Sequence, residues 1–358
     1  MSADSLLLHA LREPRSLVRL DLAGWDLLIR QARRAELLGR LGALSQDHGL
    51  LEALPVQPRR HLQWARATAE AHARSVRWEV QRVREALAEV ADPVVLLKGA
   101  AYGVAGLPPA RGRLFQDIDI LVPASQLPEV ESSLMLHGWN TTHRDAYDQR
   151  YYRRWMHELP PMRHMTRGTT LDVHHAILPR TARLRPDSQL LMEAAIPIPE
   201  RPPLAVLAPT DMILHSATHL FHDEALERGL RDLVDLDDLL RHWGSEPGFW
   251  SRLLERAEAL GLERPLYYAL RHTARHLATP VPSEALRHAG SGRPPRPWLP
   301  VMDALFDHGL TPDHRSCRRQ GAGLARWLLY VRSHYLRMPL YRLLPHLARK
   351  SLRREQEA

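Results

Sequence analysis

Asp117 and Asp119 stand two apart in the stretch Gln116–Asp117–Ile118–Asp119–Ile120–Leu121–Val122. Side chains alternate faces along a strand, so this spacing puts both carboxylates on one side while Ile118 and Ile120 pack on the other. The apolar flank implies a buried strand, where two neighbouring carboxylates raise one another's pKa unless a divalent cation lies between them. Hard oxygen ligands with room for water and substrate phosphates describe a magnesium site. An edge strand with solvated acids is the competing reading. Two ions flanking an in-line displacement need a further carboxylate. Asp172 suits that role, because Leu171–Asp172–Val173 alternates and can share the face of the pair if the two strands are neighbours. Asp145 and Asp148 compete from the polar, loop-like segment around them.

A polyphosphate also requires cations. Of the basic residues 47 are Arg and two are Lys, Lys98 and Lys350, while Asn140 is the only asparagine. That depletion reads as a GC-rich coding sequence, and a lysine that persists against it is favoured as an ammonium. Lys98–Gly99–Ala100 falls where an apolar strand turns into a helix, and Gly99 would let backbone N–H groups at the helix start approach phosphate oxygens. Arg113 lies four residues before Asp117, with Arg111 beside it. His174 points with Asp172 and can reach substrate or steady a carboxylate. His215, His219 and His222 share a helix face at i, i+4 and i+7, without a glutamate in the H-E-x-x-H position. Internal hydrogen bonding, substrate contact by His215 and His219, and metal binding are the readings open for them. His222–Asp223 also resembles the HD phosphohydrolases, but a convincing upstream His and distal Asp are missing, and Asp117 and Asp119 are left without a role.

The elements that must position these groups follow from periodicity. Trp25 to about Val90 is helical, with Leu62–Val90 as one long amphipathic helix free of Gly and Pro. Val94–Leu97 and Ile118–Val122 are short apolar runs that suit buried strands, and a helix follows the second from about Gln126 to His137. Further strands are expected at Tyr151–Met156, around Met162–Met165 and at Thr169–His174. Beyond the Pro-rich stretch Ile196–Pro209 come helices over Thr210–His222, Glu227–Trp243, Phe249–Leu260, Pro265–Leu277 and Leu324–Arg337. The expected organisation is a helical region over 1–90, an α+β core with a mixed sheet over 91–200, and a helical domain with a basic tail over 201–358.

Composition bounds the remaining classes. The 358 residues, 44% hydrophobic and 25% charged, fit a globular chain of two or three domains. One cysteine, Cys317, excludes a disulfide scaffold. There is no apolar run long enough to span a bilayer, and the N-terminus lacks a basic region and a cleavage site, so a cytoplasmic location is expected. The net charge of +8 suggests an anionic partner until it is located. Eleven Arg and Lys and no acid fall between Arg315 and Arg354, which leaves the other 318 residues at −3. That basic, aromatic-bearing tail suits RNA, acidic lipid or an acidic peptide, or else packing against the acidic body.

Leu97–Lys98–Gly99–Ala100, Tyr102, Arg113-x-x-x-Asp117–Ile118–Asp119–Ile120–Leu121–Val122 and Leu171–Asp172–Val173–His174 together resemble the bacterial uncharacterised nucleotidyltransferase family of the DNA polymerase β-like superfamily. The resemblance runs over about 25–243, through His215-x-x-x-His219, Leu230–Arg231–Asp232–Leu233 and Asp235–Leu240. It implies a mixed-sheet nucleotidyltransferase core with two Mg²⁺ ions, or Mn²⁺ in their place. The implied reaction moves a nucleoside monophosphate from an NTP, such as ATP, to an acceptor that is a small molecule, a protein or an RNA. Asp117 and Asp119 would then be metal ligands, Asp172 the third acid, and Lys98, Gly99, Ala100 and Arg113 the phosphate site. Ala100 stands where the superfamily usually carries Gly or Ser, which leaves a nucleotide- or partner-binding module without turnover as the alternative.

Overall fold

The computed structural model describes residues 5–142, 152, 155–223, 226, 228–318 and 320–338. Ahead of the first strand run helices α1 (Leu6–Arg12), α2 (Leu22–Arg34), α3 (Leu38–Asp47) and α4 (Val56–Leu87). Ser5 and Asp21 start the first two, their side-chain oxygens accepting from the backbone N–H groups of Leu8 and Gly24. The long helix α4 begins six residues before the expected start. Pro58 reads as a breaker in the sequence, yet it sits in the first turn, where its missing N–H has no partner to lose.

The sheet region contains β1 (Val94–Leu96), α5 (Lys98–Ala105), β2 (Asp117–Leu121), α6 (Leu127–Leu136), β3 (Trp139–Thr141), β4 (Met162–His164), β5 (Thr170–His174), α7 (Ser188–Glu193), β6 (Ile196–Pro197) and β7 (Leu204–Val206). The strands lie in the order β3-β4-β5-β2-β1-β7-β6. Pairs β2–β5 and β1–β7 are parallel and the others antiparallel, so the sheet is mixed, as expected for an α+β core. The periodicity misses β3, β6 and β7. Each has three residues or fewer, too few to show alternation, and Pro197 is tolerated because β6 is an edge strand. The strand expected at Tyr151–Met156 is not found: Tyr152 and Trp155 are helical, while Tyr151, Arg153 and Arg154 lie outside the described residues.

The remainder is helical: α8 (Pro209–Thr218), α9 (Gly229–Trp243), α10 (Phe249–Ala259), α11 (Glu263–Leu277), α12 (Ser283–His288), α13 (Trp298–Gly309) and α14 (Ala322–Arg337). The α-helix expected to reach His222 instead ends at Thr218 and passes into a π-turn over His219–Asp223. Helix α13 is unexpected from the sequence, since Pro300 interrupts its pattern, but that proline again occupies a first turn. No described helix is long and apolar enough to cross a membrane.

A single apolar cluster runs from Leu7 and Trp25 through Val95, Ile120 and Val173 to Leu233, Phe306 and Leu329. The prelude meets the loop before β2 at backbone distance. A Cβ on Gly112, whose φ is +75°, would lie 2.2 Å from the Gly39 carbonyl oxygen, a separation that no side chain can occupy. α3 is thereby pinned against the loop that leads into the strand carrying Asp117 and Asp119.

Candidate active site

One strand pairing assembles the acids. In the parallel register of β2 and β5, Asp119 lies opposite Asp172 and Leu121 opposite His174. Alternation then places Asp117, Asp119, Asp172 and His174 on one face. On the other face Ile118, Ile120, Leu171 and Val173 are at most 1% exposed. This apolar face fixes the register, because a one-residue slip would bury carboxylates in place of the aliphatic side chains. One oxygen from each of Asp117, Asp119 and Asp172 lies within 4.8 Å of the others.

The electrostatics divide the three. Asp172 is pushed up to about 7, first by burial and then by the charge of Asp119. Burial and Asp119 also raise Asp117, against the pull of Lys98, Arg228 and Arg231. Asp119 moves the other way: burial opposes its ionisation, but Lys98 and a hydrogen bond from His174 hold it well below the ordinary carboxylate range. His174 approaches Asp119 Oδ1 through Nε2 at 3.2 Å and Glu158 Oε2 through Nδ1 at 3.4 Å. Burial favours a neutral ring, yet the bond to Asp119 and the charge of Glu158 raise the His174 pKa. Asp172 Oδ1 is buried without a hydrogen-bond partner. Carboxylates that resist joint ionisation, one with an orphaned oxygen, make an all-oxygen donor set that suits hard divalent cations.

A cleft of about 260 Å³ opens over these groups, and Lys98, Gly99, Arg113, His174 and His219 also line it. Lys98 holds a backbone φ of +43°, in the left-handed region that costs a side-chain-bearing residue about 1–3 kcal/mol. The strained residue of the turn is therefore the lysine. Gly99 is required for another reason: a Cβ there would lie 2.9 Å from the Phe115 ring and 3.2 Å from Arg113 Nε.

Two of the expected phosphate residues have a different setting. The side chain of Ala100 is 1% exposed in the core and does not line the cleft. Arg113 does line it, but its guanidinium is ion-paired with buried Asp235 and lies over the Tyr102 ring at 5.9 Å. Its charge is thus matched from within the fold. Arg228 and Arg231, at the start of α9, face Asp117 from across the cleft and were given no role on sequence grounds. Arg231 is held by Asp232 and by Glu36 of the prelude, at 2.9 and 2.8 Å. Only the fold brings the turn between α2 and α3, which carries Glu36, to α9, so no local spacing announces them. Glu158 is likewise visible only through its bridge to His174.

The histidine row separates. His219 reaches the cleft from the π-turn, a widened turn that recurs at functional sites. His215 is 5% exposed and does not line the cleft. Its burial, with Lys98 and His219 near by, holds its pKa well below the usual value, so the ring is neutral. None of His215, His219 and His222 belongs to a described cluster of metal-type ligands.

Residues 21–278 match the family described as "Uncharacterised nucleotidyltransferase". The chain belongs to that family. No curated protein and no solved structure matches the chain. For this member of the uncharacterised nucleotidyltransferases, the matched span contains every cleft residue named above and extends past the similarity at 25–243 to the end of α11. Helices α13 and α14 lie beyond it.

Proposed function

We propose that this nucleotidyltransferase-family chain moves a nucleoside monophosphate from an NTP to an acceptor hydroxyl in a Mg²⁺-dependent reaction that releases pyrophosphate. The observation that carries the reading is the convergence of Asp117, Asp119 and Asp172 on one sheet face with Asp172 Oδ1 unpartnered. Bound divalent ions, Mg²⁺ or Mn²⁺, would be held by these three carboxylates and would supply charge neutralisation at the phosphates and at the attacking oxygen. Lys98 stands beside the carboxylates and gives the triphosphate its counter-charge, while Arg228 and Arg231 line the same cleft with Glu36 and Asp232 as their own partners. The acceptor oxygen forms a bond to the α-phosphorus, the bond from that phosphorus to the bridging oxygen breaks, and pyrophosphate leaves. Asp172, the third carboxylate of the set, receives the hydroxyl proton. His174 steadies Asp119 and is itself anchored by Glu158.

Incubation with each α-labelled NTP and Mg²⁺ tests this, with pyrophosphate release and transfer of label to a lysate or to the chain as readouts. Release of pyrophosphate supports the proposal. Nucleotide binding without release would replace it with a binding module on the same fold, and loss of orthophosphate with a phosphohydrolase.

A further inference from the structure

Away from the cleft, α11 carries His272 and His276 one helical turn apart, and α13 carries Asp303 and Asp307 in the same relation. One ligand atom from each of His272, His276 and Asp307 lies within 4.8 Å of the others. We propose that these three residues form a zinc site that joins α11 to α13.

The local polar accounting argues for a ligand. His272 is fully buried, and neither ring nitrogen has a hydrogen-bond partner. Leaving a buried polar group unpaired is costly, and a metal gives one of these nitrogens a partner. His276 Nε2 and Asp307 Oδ1 are only 3.0 Å apart across the seam between the two helices. Tetrahedral zinc with ligands at about 2.0–2.1 Å separates them by about 3.3 Å, near the spacing already present.

The surroundings hold the set in a ligand-ready state. Phe306, Phe221 and Tyr268 surround the His272 ring at 5.1, 5.7 and 6.3 Å, and the His276 ring stacks on it at 5.7 Å. This apolar enclosure leaves the His272 nitrogens without a hydrogen-bond partner. Arg275 Nη2 donates to Asp307 Oδ2 at 2.6 Å and leaves Oδ1 directed at the histidines. Arg271 fixes Asp303 through two bonds of 2.8 and 2.6 Å, with Asp303 Oδ1 at 3.8 Å from His272 Nε2. Anchoring of this kind orients the ligands in metal sites. Zinc is the ion assigned, since two imidazoles and one carboxylate, with a water as the fourth ligand, suit it better than a hard cation. His272 and His276 lie inside the family-matched span and Asp307 beyond it.

The test uses the full chain, stripped with a chelator and titrated with Co²⁺, whose visible absorption reports tetrahedral nitrogen and oxygen ligands, and then with Zn²⁺. One equivalent of Co²⁺ gives the bands, Zn²⁺ abolishes them, and Zn²⁺ raises the thermal midpoint. A chain with Asp117, Asp119 and Asp172 all changed to Asn keeps the bands, as does His174→Gln. His276→Gln and Asp307→Asn each weaken Co²⁺ binding by at least about tenfold. If His276→Gln does not fold, the near-isosteric Asp307→Asn decides. Absence of bands in the wild-type chain, bands undiminished in Asp307→Asn, or bands lost in His174→Gln would overturn the site.

Discussion

At the scale of single residues, the three acids do different work although they share a face. Asp119 is kept ionised by Lys98 and His174 in spite of its burial, whereas Asp172, directly opposite it, is lifted to about 7. A carboxyl whose folded pKa lies above its unfolded value stabilises the fold while protonated and loses that stabilisation as pH rises through the interval between the two. In chelator, stability should therefore fall between about pH 4 and about pH 7, by up to about 4 kcal/mol from Asp172. Burial and Asp119 make Asp117 add to the same decline, and the raised pKa of His174 has the same sign. Asp172→Asn should flatten much of that slope in urea titrations across this range, and an unchanged slope would show that Asp172 is not strained by its neighbours. The Asp117 and Asp119 pair was legible in the sequence because strand alternation alone sets it. Asp172 was legible because its apolar neighbours reveal the alternation. Arg228, Arg231 and Glu158 were not, because their relation to the acids depends on pairings more than 30 residues distant or on a bridge outside any strand.

At the scale of elements, the strand-to-helix turn at 97–100 carries a packing constraint that the motif does not announce. Gly99 reads as a phosphate turn glycine, but the observed need is for contact with Phe115 and Arg113, and the left-handed backbone belongs to Lys98. Gly99→Ala should cost about 1–3 kcal/mol by overpacking the Phe115 ring. Replacing Phe115 with Leu in the same chain should recover part of that loss, measured as a double-mutant cycle in urea. Full stability in Gly99→Ala alone would show that the turn has slack. The secondary elements with long periodic stretches, such as α4, α9 and α11, are readable from the sequence within a few residues. Among those that escape it, β3, β6 and β7 are two or three residues long, α1, α7 and α12 span only six or seven residues, and α13 carries a proline in its first turn, where the proline's usual meaning is reversed. The π-turn is invisible to a 3.6-residue period, and it is the feature that sends His219 to the cleft and leaves His215 behind it.

At the scale of the whole molecule, α9 is the centre of a charged layer between the prelude and the sheet. Its buried Asp235 pairs with Arg113, Asp238 with Arg40, and Arg231 with Glu36. Residues from the three stretches expected as separate units thus meet in ion pairs as well as in the shared core. If Arg113 serves the fold, Arg113→Met leaves Asp235 buried without its partner and costs about 3–5 kcal/mol, while Arg113→Met with Asp235→Leu recovers most of it. A primary role on phosphate gives the reverse pattern, with stability near wild type in the single variant. The basic tail, which dominates the net charge, is partly accounted for by internal contacts. Arg332 donates to the Phe221 carbonyl at 2.8 Å, Arg318 pairs with Asp313 at 3.3 Å, and Arg337 lines the cleft. Residues 339–358 lie outside the described part, so an anionic partner for them rests on composition.

The central claim is that the sheet-borne acids perform nucleotidyl transfer, and pyrophosphate release by Asp119→Asn beside wild type tests it most directly. The substitution keeps shape and replaces the most strongly ionised acid of the three with a neutral amide, so circular dichroism and thermal unfolding should show the fold retained. With Mg²⁺ and the preferred NTP, wild type should release pyrophosphate and Asp119→Asn should fall by at least about a thousandfold. Pyrophosphate release at the wild-type rate from folded Asp119→Asn would contradict the account.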